Sequence, residues 1–167
     1  DSEVPIFGKA KPHSKIKIET SWGENTNGTV SADGTFNIKI KALEADLKPH
    51  TLTISSKGQA IELKNIMFGE VWVCSGQSNM EMPVKGFMKW DDPGQIQDTL
   101  YNWQEEISEA NYPNIRLFTV TKRLALLPKD TLSGKWEVCS PSTIPDFSAV
   151  AYFFGRKLHK ELNIPIG

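Results

Sequence analysis

The chain has 167 residues, 39% of them hydrophobic and 23% charged, with a formal net charge of −1. This composition fits one ordinary globular domain or two small ones and excludes a disordered chain. The near-zero charge offers no basic surface for nucleic acid or an anionic membrane, and no apolar run reaches the length of a membrane span.

The chain begins at Asp1 without Met, which reads as a processed or trimmed start. Residues 1–66 read as all-β. Lys15 to Trp22 alternates polar and apolar residues with period two. Gly23 to Gly28 supplies a turn, with Asn27-Gly28 as the strongest hairpin signal. Ala32-Asp33-Gly34 is a second turn, and Thr35 to Ile40 alternates again with Phe36, Ile38 and Ile40 inward. After a loop through Pro49, Thr51–Ile54 and Ala60–Leu63 read as two half-buried strands around a turn at Lys57-Gly58. Short strands at this spacing predict a small β-sandwich.

Residues 67–167 follow a different pattern. Glu70 to Ser75 reads as a strand that is apolar on both faces, hence central and covered on two sides. Gly76 turns the backbone, and Ser78 follows at once. A hydroxyl just past a central strand sits where open α/β sheets place their chemistry, which makes Ser78 a candidate nucleophile. The same pattern fits an ordinary turn serine, and spacing alone favours that plainer reading. Met82, Phe87, Met88 and Trp90 then read as packing side chains. Asp92-Pro93 looks like a helix start, with Ile96, Leu100, Trp103 and Ile107 at helical spacing and Glu105, Glu106 and Glu109 solvated. Ile115 to Val120 reads as a strand, and Arg123 to Trp136 as an extended excursion. Asp146 or Ser148 caps a last helix with an apolar stripe of Phe147, Ala151, Phe154, Leu158 and Leu162. Asn163 stops it, and Ile164 to Gly167 begins another strand. So few strands and helices leave apolar faces and sheet edges open, so this part is expected to be the start of a larger α/β domain.

The chemistry is incomplete in the same way. A serine nucleophile needs a base, a group that orients the base, and oxyanion donors. The histidines are His13 and His50 in loops of the β part and His159 on a solvated helix face. Each reads as exposed and non-catalytic, and none stands out as a base for Ser78. Gly76-Gln77-Ser78-Asn79-Met80 is not the Gly-x-Ser-x-Gly elbow, because position 80 is Met. Cys74 and Cys139 form neither a zinc spacing nor a disulfide framework; Cys74 reads as a buried small hydrophobe, and a bridge between the two stays open. Asn27-Gly28-Thr29 fits a glycosylation sequon, but the hairpin reading is preferred.

Gly69 to Val84, with Gly76-Gln77-Ser78-Asn79-Met80 at its centre, resembles the first signature of the sialate O-acetylesterase family, carbohydrate esterases of the SGNH-hydrolase superfamily. Val4 to Ala10 and Ala32 to Phe36 resemble the β-sandwich before that signature. Trp136 to Pro141, Phe147 to Gly155 and Asn163 to Gly167 resemble the segments after it. The resemblance implies a three-layer SGNH α/β/α domain, incomplete here, behind a β-sandwich. It implies hydrolysis of acetyl esters on sialic acid or related sugars, with no metal or cofactor and an exported location. Ser78 would be the nucleophile, with Ser78, Gln77 and Asn79 around the oxyanion and substrate. The family's second oxyanion glycine, asparagine motif and Asp-x-x-His element fall after Gly167, so the base would come from a complementary C-terminal chain or segment. The alternative is a non-catalytic carbohydrate-binding or interaction module that keeps the serine signature as scaffold.

Overall fold

The computed structural model describes residues 2–92, 94–129 and 131–167. The chain divides into two compact units, residues 1–69 and 70–167.

The first unit holds six strands: β1 (Glu3–Lys9), β2 (Lys15–Thr20), β3 (Asn25–Thr29), β4 (Thr35–Lys41), β5 (Asp46–Ser56) and β6 (Gln59–Phe68). β1 pairs with β4, while the others form an antiparallel sheet in the order β3-β2-β5-β6. Ile16, Ile18 and Leu52 of the larger sheet meet Phe36 and Ile40 of β4 in one buried cluster. The alternation in β2 and β4 therefore does what its period demands, sending every second side chain into a shared core. Two turns follow their residues closely. Gly34 adopts φ 83° after Asp33, whose carboxylate accepts from the Thr35 N–H at 2.9 Å and hydroxyl at 2.8 Å. Lys57 and Gly58 both have positive φ, as a two-residue hairpin turn of the I′ type requires.

Three expectations are corrected here. The first hairpin turns at Ser21–Glu24, with Gly23 at φ 91°, and Asn27-Gly28 lies inside β3. Gly28 answers a packing need instead, because a Cβ there would sit 2.4 Å from Ile38 Cδ1. β5 begins at Asp46, so Pro49 and His50 are strand residues. β6 extends to Phe68 and is not half-buried along its first part: Ile61 and Leu63 are exposed.

The second unit contains α1 (Ser78–Glu81), β7 (Phe87–Met88), β8 (Ile96–Asp98), α2 (Trp103–Ser108), β9 (Tyr112–Phe118), β10 (Trp136–Cys139) and α3 (Ala149–Leu162). β9 pairs antiparallel with β10, and β7 with β8. Ile166 lies between two parallel neighbours, Glu70 and Ile115. The Glu70 and Trp72 N–H groups donate to Pro165 and Gly167 carbonyls, and the Arg116 N–H donates to Ile166. Beside them, Val84, Ala110, Ile115, Leu117, Cys139, Ile144, Ala149 and Tyr152 form the buried core.

Several expectations for this unit are overturned. Glu70–Ser75 is extended but is not a covered central strand: Val71, Trp72 and Val73 are exposed, as is Cys74. Both cysteines are free, which removes the bridge. Of the side chains expected to pack, Met88 and Trp90 are exposed. The helix expected from Asp92 is a hairpin. Asp92 takes N–H groups from Gly94 on its side chain and Gln95 on its carbonyl, turning the chain so that Ile96 pairs with Met88. Pro93 lies outside the described residues, and the helix begins only at Trp103. Glu106 is not solvated, because Arg156 holds it.

α3 keeps both its expected ends. The Ser148 Oγ accepts the Ala151 N–H at 3.3 Å, and Asn163 closes the helix in the left-handed region at φ 53°. Its buried face is Ala149, Tyr152 and Gly155, whereas Phe154 and Leu162 of the expected stripe are exposed. Gly155 faces Ile166, and a Cβ there would make an ordinary contact with it at 3.5 Å.

Candidate active site

The serine turn is positioned by its attachments to the N-terminal end of α3. The Val84 N–H donates to the Phe147 carbonyl and the Lys85 N–H to Pro145, both at 3.0 Å. The Ala149 N–H returns a bond to Met82 at 2.9 Å. Within the turn, Glu81 and Met82 N–H groups bond back to Gln77 and Ser78 carbonyls, which makes the single turn of α1. Gly76 permits it: a Cβ there would lie 3.0 Å from Met80 Cβ. Met80 in turn accepts the Ser148 hydroxyl on its sulfur at 3.6 Å. The strand segment, the serine turn and the α3 cap are thus tied through short local links.

Ser78 is the first residue of α1, Gln77 is its N-cap and Asn79 follows; all three are exposed. Neither the Ser78 hydroxyl nor the N–H groups of Ser78 and Asn79 have a hydrogen-bond partner among the described residues. The opening turn of a helix leaves such N–H groups unsatisfied by construction. Free donors beside a hydroxyl are what an oxyanion formed at that hydroxyl needs. The residues flanking Ser78 line a cleft of about 1420 Å³, with Ser75, Gly76 and Gln77 before it and Met80 and Glu81 after it. Ser78 and Asn79 do not line it themselves. Across the cleft run residues 119–129 and 131–133, and Lys122 from the first of these stretches pairs with Glu81.

The structure brings no histidine to Ser78. His13 sits at a turn with φ 60°, its N–H donating to Val30. His159 is not on a solvated face: it is half-buried, and its Nδ1–H donates to the Ile164 carbonyl at 2.7 Å, fastening the loop after α3. His50 is likewise not exposed. Its Nε2 lies 3.2 Å from both Asp46 carboxylate oxygens, and its Nδ1 lies 3.4 Å from the Ser21 hydroxyl. The Ser21 hydroxyl also accepts the Thr51 N–H at 3.0 Å. The chain therefore contains an aspartate, a histidine and a serine in sequence of contact, in the β unit and around a different serine. Trp22 and Phe68 stand edge-on to the His50 ring at 5.7 and 5.2 Å, so it packs as part of an aromatic cluster. Sequence reading missed this constellation because Ser21, Asp46 and His50 meet only through the pairing of β2 with β5. Among the described residues there is no group of three or more His, Cys, Asp or Glu side chains that could hold a metal ion. Among them too, no helix is long and apolar enough to cross a membrane.

Comparison with solved structures gives the class. The chain is similar to a carbohydrate acetylesterase from Xanthomonas citri, with a TM-score of 0.87 and 25% identity, over 100% of this chain and 35% of that one. The curated relatives give the particular family. The chain is 30% identical over 124 residues to the sialate O-acetylesterase of Rattus norvegicus and 28% identical to that of Homo sapiens. These alignments cover 69% of the chain but 20% and 21% of the relatives, so the chain spans about a fifth of their length. No protein-family model matches the chain. The resemblance read from the residues is thus borne out by relatives of that family and by a solved acetylesterase.

Proposed function

We propose that the chain is the nucleophile-bearing portion of a serine esterase that removes O-acetyl groups from sialic acid or related carbohydrates. The observation that carries this reading is Ser78 itself: an exposed, unpartnered hydroxyl at the head of α1, beside free N–H groups, in the stretch that resembles the family signature. Ser78 Oγ attacks the acetyl carbonyl as its proton passes to a base. The developing oxyanion is met by the N–H groups of Ser78 and Asn79, with Gln77 placed beside the substrate. The sugar oxygen leaves with a proton, an acetyl ester forms on Ser78, and water releases acetate and restores the hydroxyl. The base and its orienting acid are supplied by a complementary segment or chain, completing a three-layer SGNH domain on the exposed edge at Val71, Trp72 and Val73. On the same reading, the enzyme works in an exported compartment.

The test is labelling by a serine-directed fluorophosphonate together with acetate release from an acetylated sugar. Both are measured on the chain alone and with the complementary segment. Labelling of Ser78 and acetate release only in the complemented sample are expected. If Ser78 stays unlabelled in both samples, the nucleophile assignment falls and the carbohydrate-binding module is the better reading.

A further inference from the structure

We propose that Asn27 is an acceptor for an N-linked oligosaccharide, presented on the outward face of β3 beside a groove that takes the first sugar. The chemistry of Ser78 plays no part in this. The site rests on the exported-compartment reading only for the chain to meet a transferase.

The acceptor pattern is an asparagine with serine or threonine two residues on and no proline between them. Asn27-Gly28-Thr29 has it, and no other asparagine of the chain does. A hairpin turn would have accounted for these residues, but the chain bends at Ser21–Glu24 and leaves them inside β3. The period of the strand fixes where they point. Gly28 faces the core, because a Cβ on it would fall on the Ile38 side chain. Asn27 and Thr29 therefore share the opposite face, roughly 7 Å apart along the strand. Both are exposed, on a strand at the edge of its sheet.

The neighbours on that face leave the amide available. Among the described residues the Asn27 side chain has no hydrogen-bond partner. Lys17, opposite it on β2, is held by Glu19 at 2.7 Å. Ser55 stands opposite Lys17 and Ala60 opposite Ser55, so a row of small and polar side chains crosses the sheet from Asn27. That row lines a groove of about 360 Å³, bounded by the Lys57-Gly58 turn. Its ammonium and hydroxyl offer hydrogen bonds to a sugar ring, and Ala60 leaves room for one. The co-reactant is an oligosaccharide on a lipid diphosphate. A bond forms from Asn27 Nδ2 to the first carbon of the sugar as that carbon's bond to the diphosphate oxygen breaks. The diphosphate keeps the electron pair, and one amide proton of Asn27 passes to the transferase.

The experiment directs the chain by an added leader into the secretory pathway of cultured eukaryotic cells. Chain is collected from cells and medium together, since transfer precedes release. Digestion with a peptide-N-glycosidase in heavy-oxygen water turns an occupied Asn27 into a labelled aspartate, read by peptide mass spectrometry. A parallel sample without the enzyme corrects for spontaneous deamidation at Asn27-Gly28. Most copies are expected to carry the label, and Asn27→Gln and Thr29→Ala should each abolish it. The occupied chain should keep the urea midpoint of the bare one, as a glycan on an outward face requires. A bare Asn27, occupancy that survives Thr29→Ala, or a midpoint lowered by the glycan overturns the site. Fractionation of the cells that make the chain naturally is scored separately. Retention inside those cells with Asn27 occupied in the leader-directed chain sinks the exported-compartment reading and leaves the acceptor standing; export with Asn27 bare in the leader-directed chain does the reverse.

Discussion

Ser21 and Ser78 stand in opposite circumstances. Ser21, in the β unit, has a histidine and an aspartate in line behind it, but its oxygen already accepts the Thr51 N–H. Ser78, in the second unit, has no histidine near it, yet among the described residues its hydroxyl and the adjacent N–H groups have no partner and its flanking residues line a cleft. The difference teaches that a candidate nucleophile is to be judged by what awaits a substrate as much as by what would take the proton. The Asp46–His50–Ser21 chain holds the turn after β2 against β5, and its order of contacts serves folding. The largest effect that would break this comparison is kinetic. In the complemented protein, Ser78→Ala should lower acetate release by about 10³-fold or more and abolish fluorophosphonate labelling, while Ser21→Ala leaves both unchanged. Labelling at Ser21 would reverse the two assignments.

A second pair of residues sharpens the contrast in stability. In the second unit, Arg156 donates to Glu106 and to the Tyr152 hydroxyl, and its guanidinium lies 4.9 Å from the Tyr152 ring and 4.8 Å from Phe153. Both charged side chains are largely shielded from water, at 21% and 16% exposure. Removing one partner leaves the other desolvated, so Arg156→Ala should cost about 2–3 kcal/mol by urea denaturation. Arg156→Ala with Glu106→Ala should recover part of that loss. In the β unit, His50→Ala should cost less, about 1–2 kcal/mol, since it removes two hydrogen bonds and two edge-on ring contacts from a partly wet cluster. It should leave Ser78 labelling untouched. A drop in labelling with His50→Ala would mean that the β-unit histidine takes part in the chemistry after all.

Much of this layout was legible in the residues, and the failures have physical causes. The alternation of Thr35–Lys41 and the capping of α3 by Ser148 and Asn163 depend on local periodicity and local hydrogen bonds, which a sequence displays directly. Asn27-Gly28 misled because a glycine that makes room for Ile38 looks the same as one that makes a turn. The apolar positions from Ile96 to Ile107 misled because Asp92 seeds a hairpin turn that captures Ile96 before a helix can form. The face of α3 was misjudged because hydrophobicity scores Phe154 and Leu162 above Ala149 and Gly155, whereas the helix turns Ala149, Tyr152 and Gly155 to the core. At the candidate site, the turn that begins at Gly76 and exposes Ser78 was legible from its residues. The Lys122–Glu81 link was not, because the two lie 41 residues apart and meet only across the cleft.

The smallest effect concerns proton binding in the two units. Burial pushes the Cys139 thiol up to about 11 and the Tyr152 phenol up to about 12, from ordinary values of 9.0 and 10.0. Both sit in the core of the second unit, and both are neutral when protonated. The unfolded chain gives up these protons first, so their contribution to stability is whole below about pH 9 and is lost as pH rises through the folded values. The β-unit core cluster contains no such group: its members are aliphatic or phenylalanine side chains, packed by Ile6, Ala10, Trp22, Ile38, Ile54 and Ile66. Raising the pH from 8 to 11 should therefore weaken the second unit more than the first, read by hydrogen exchange in each. Tyr152→Phe should flatten the second unit's slope. A thiol reagent gives an independent readout at pH 8, since exposed Cys74 should react at once and Cys139 only as the second unit opens. Equal reactivity of the two thiols would show that the core around Cys139 opens far more readily than its burial implies.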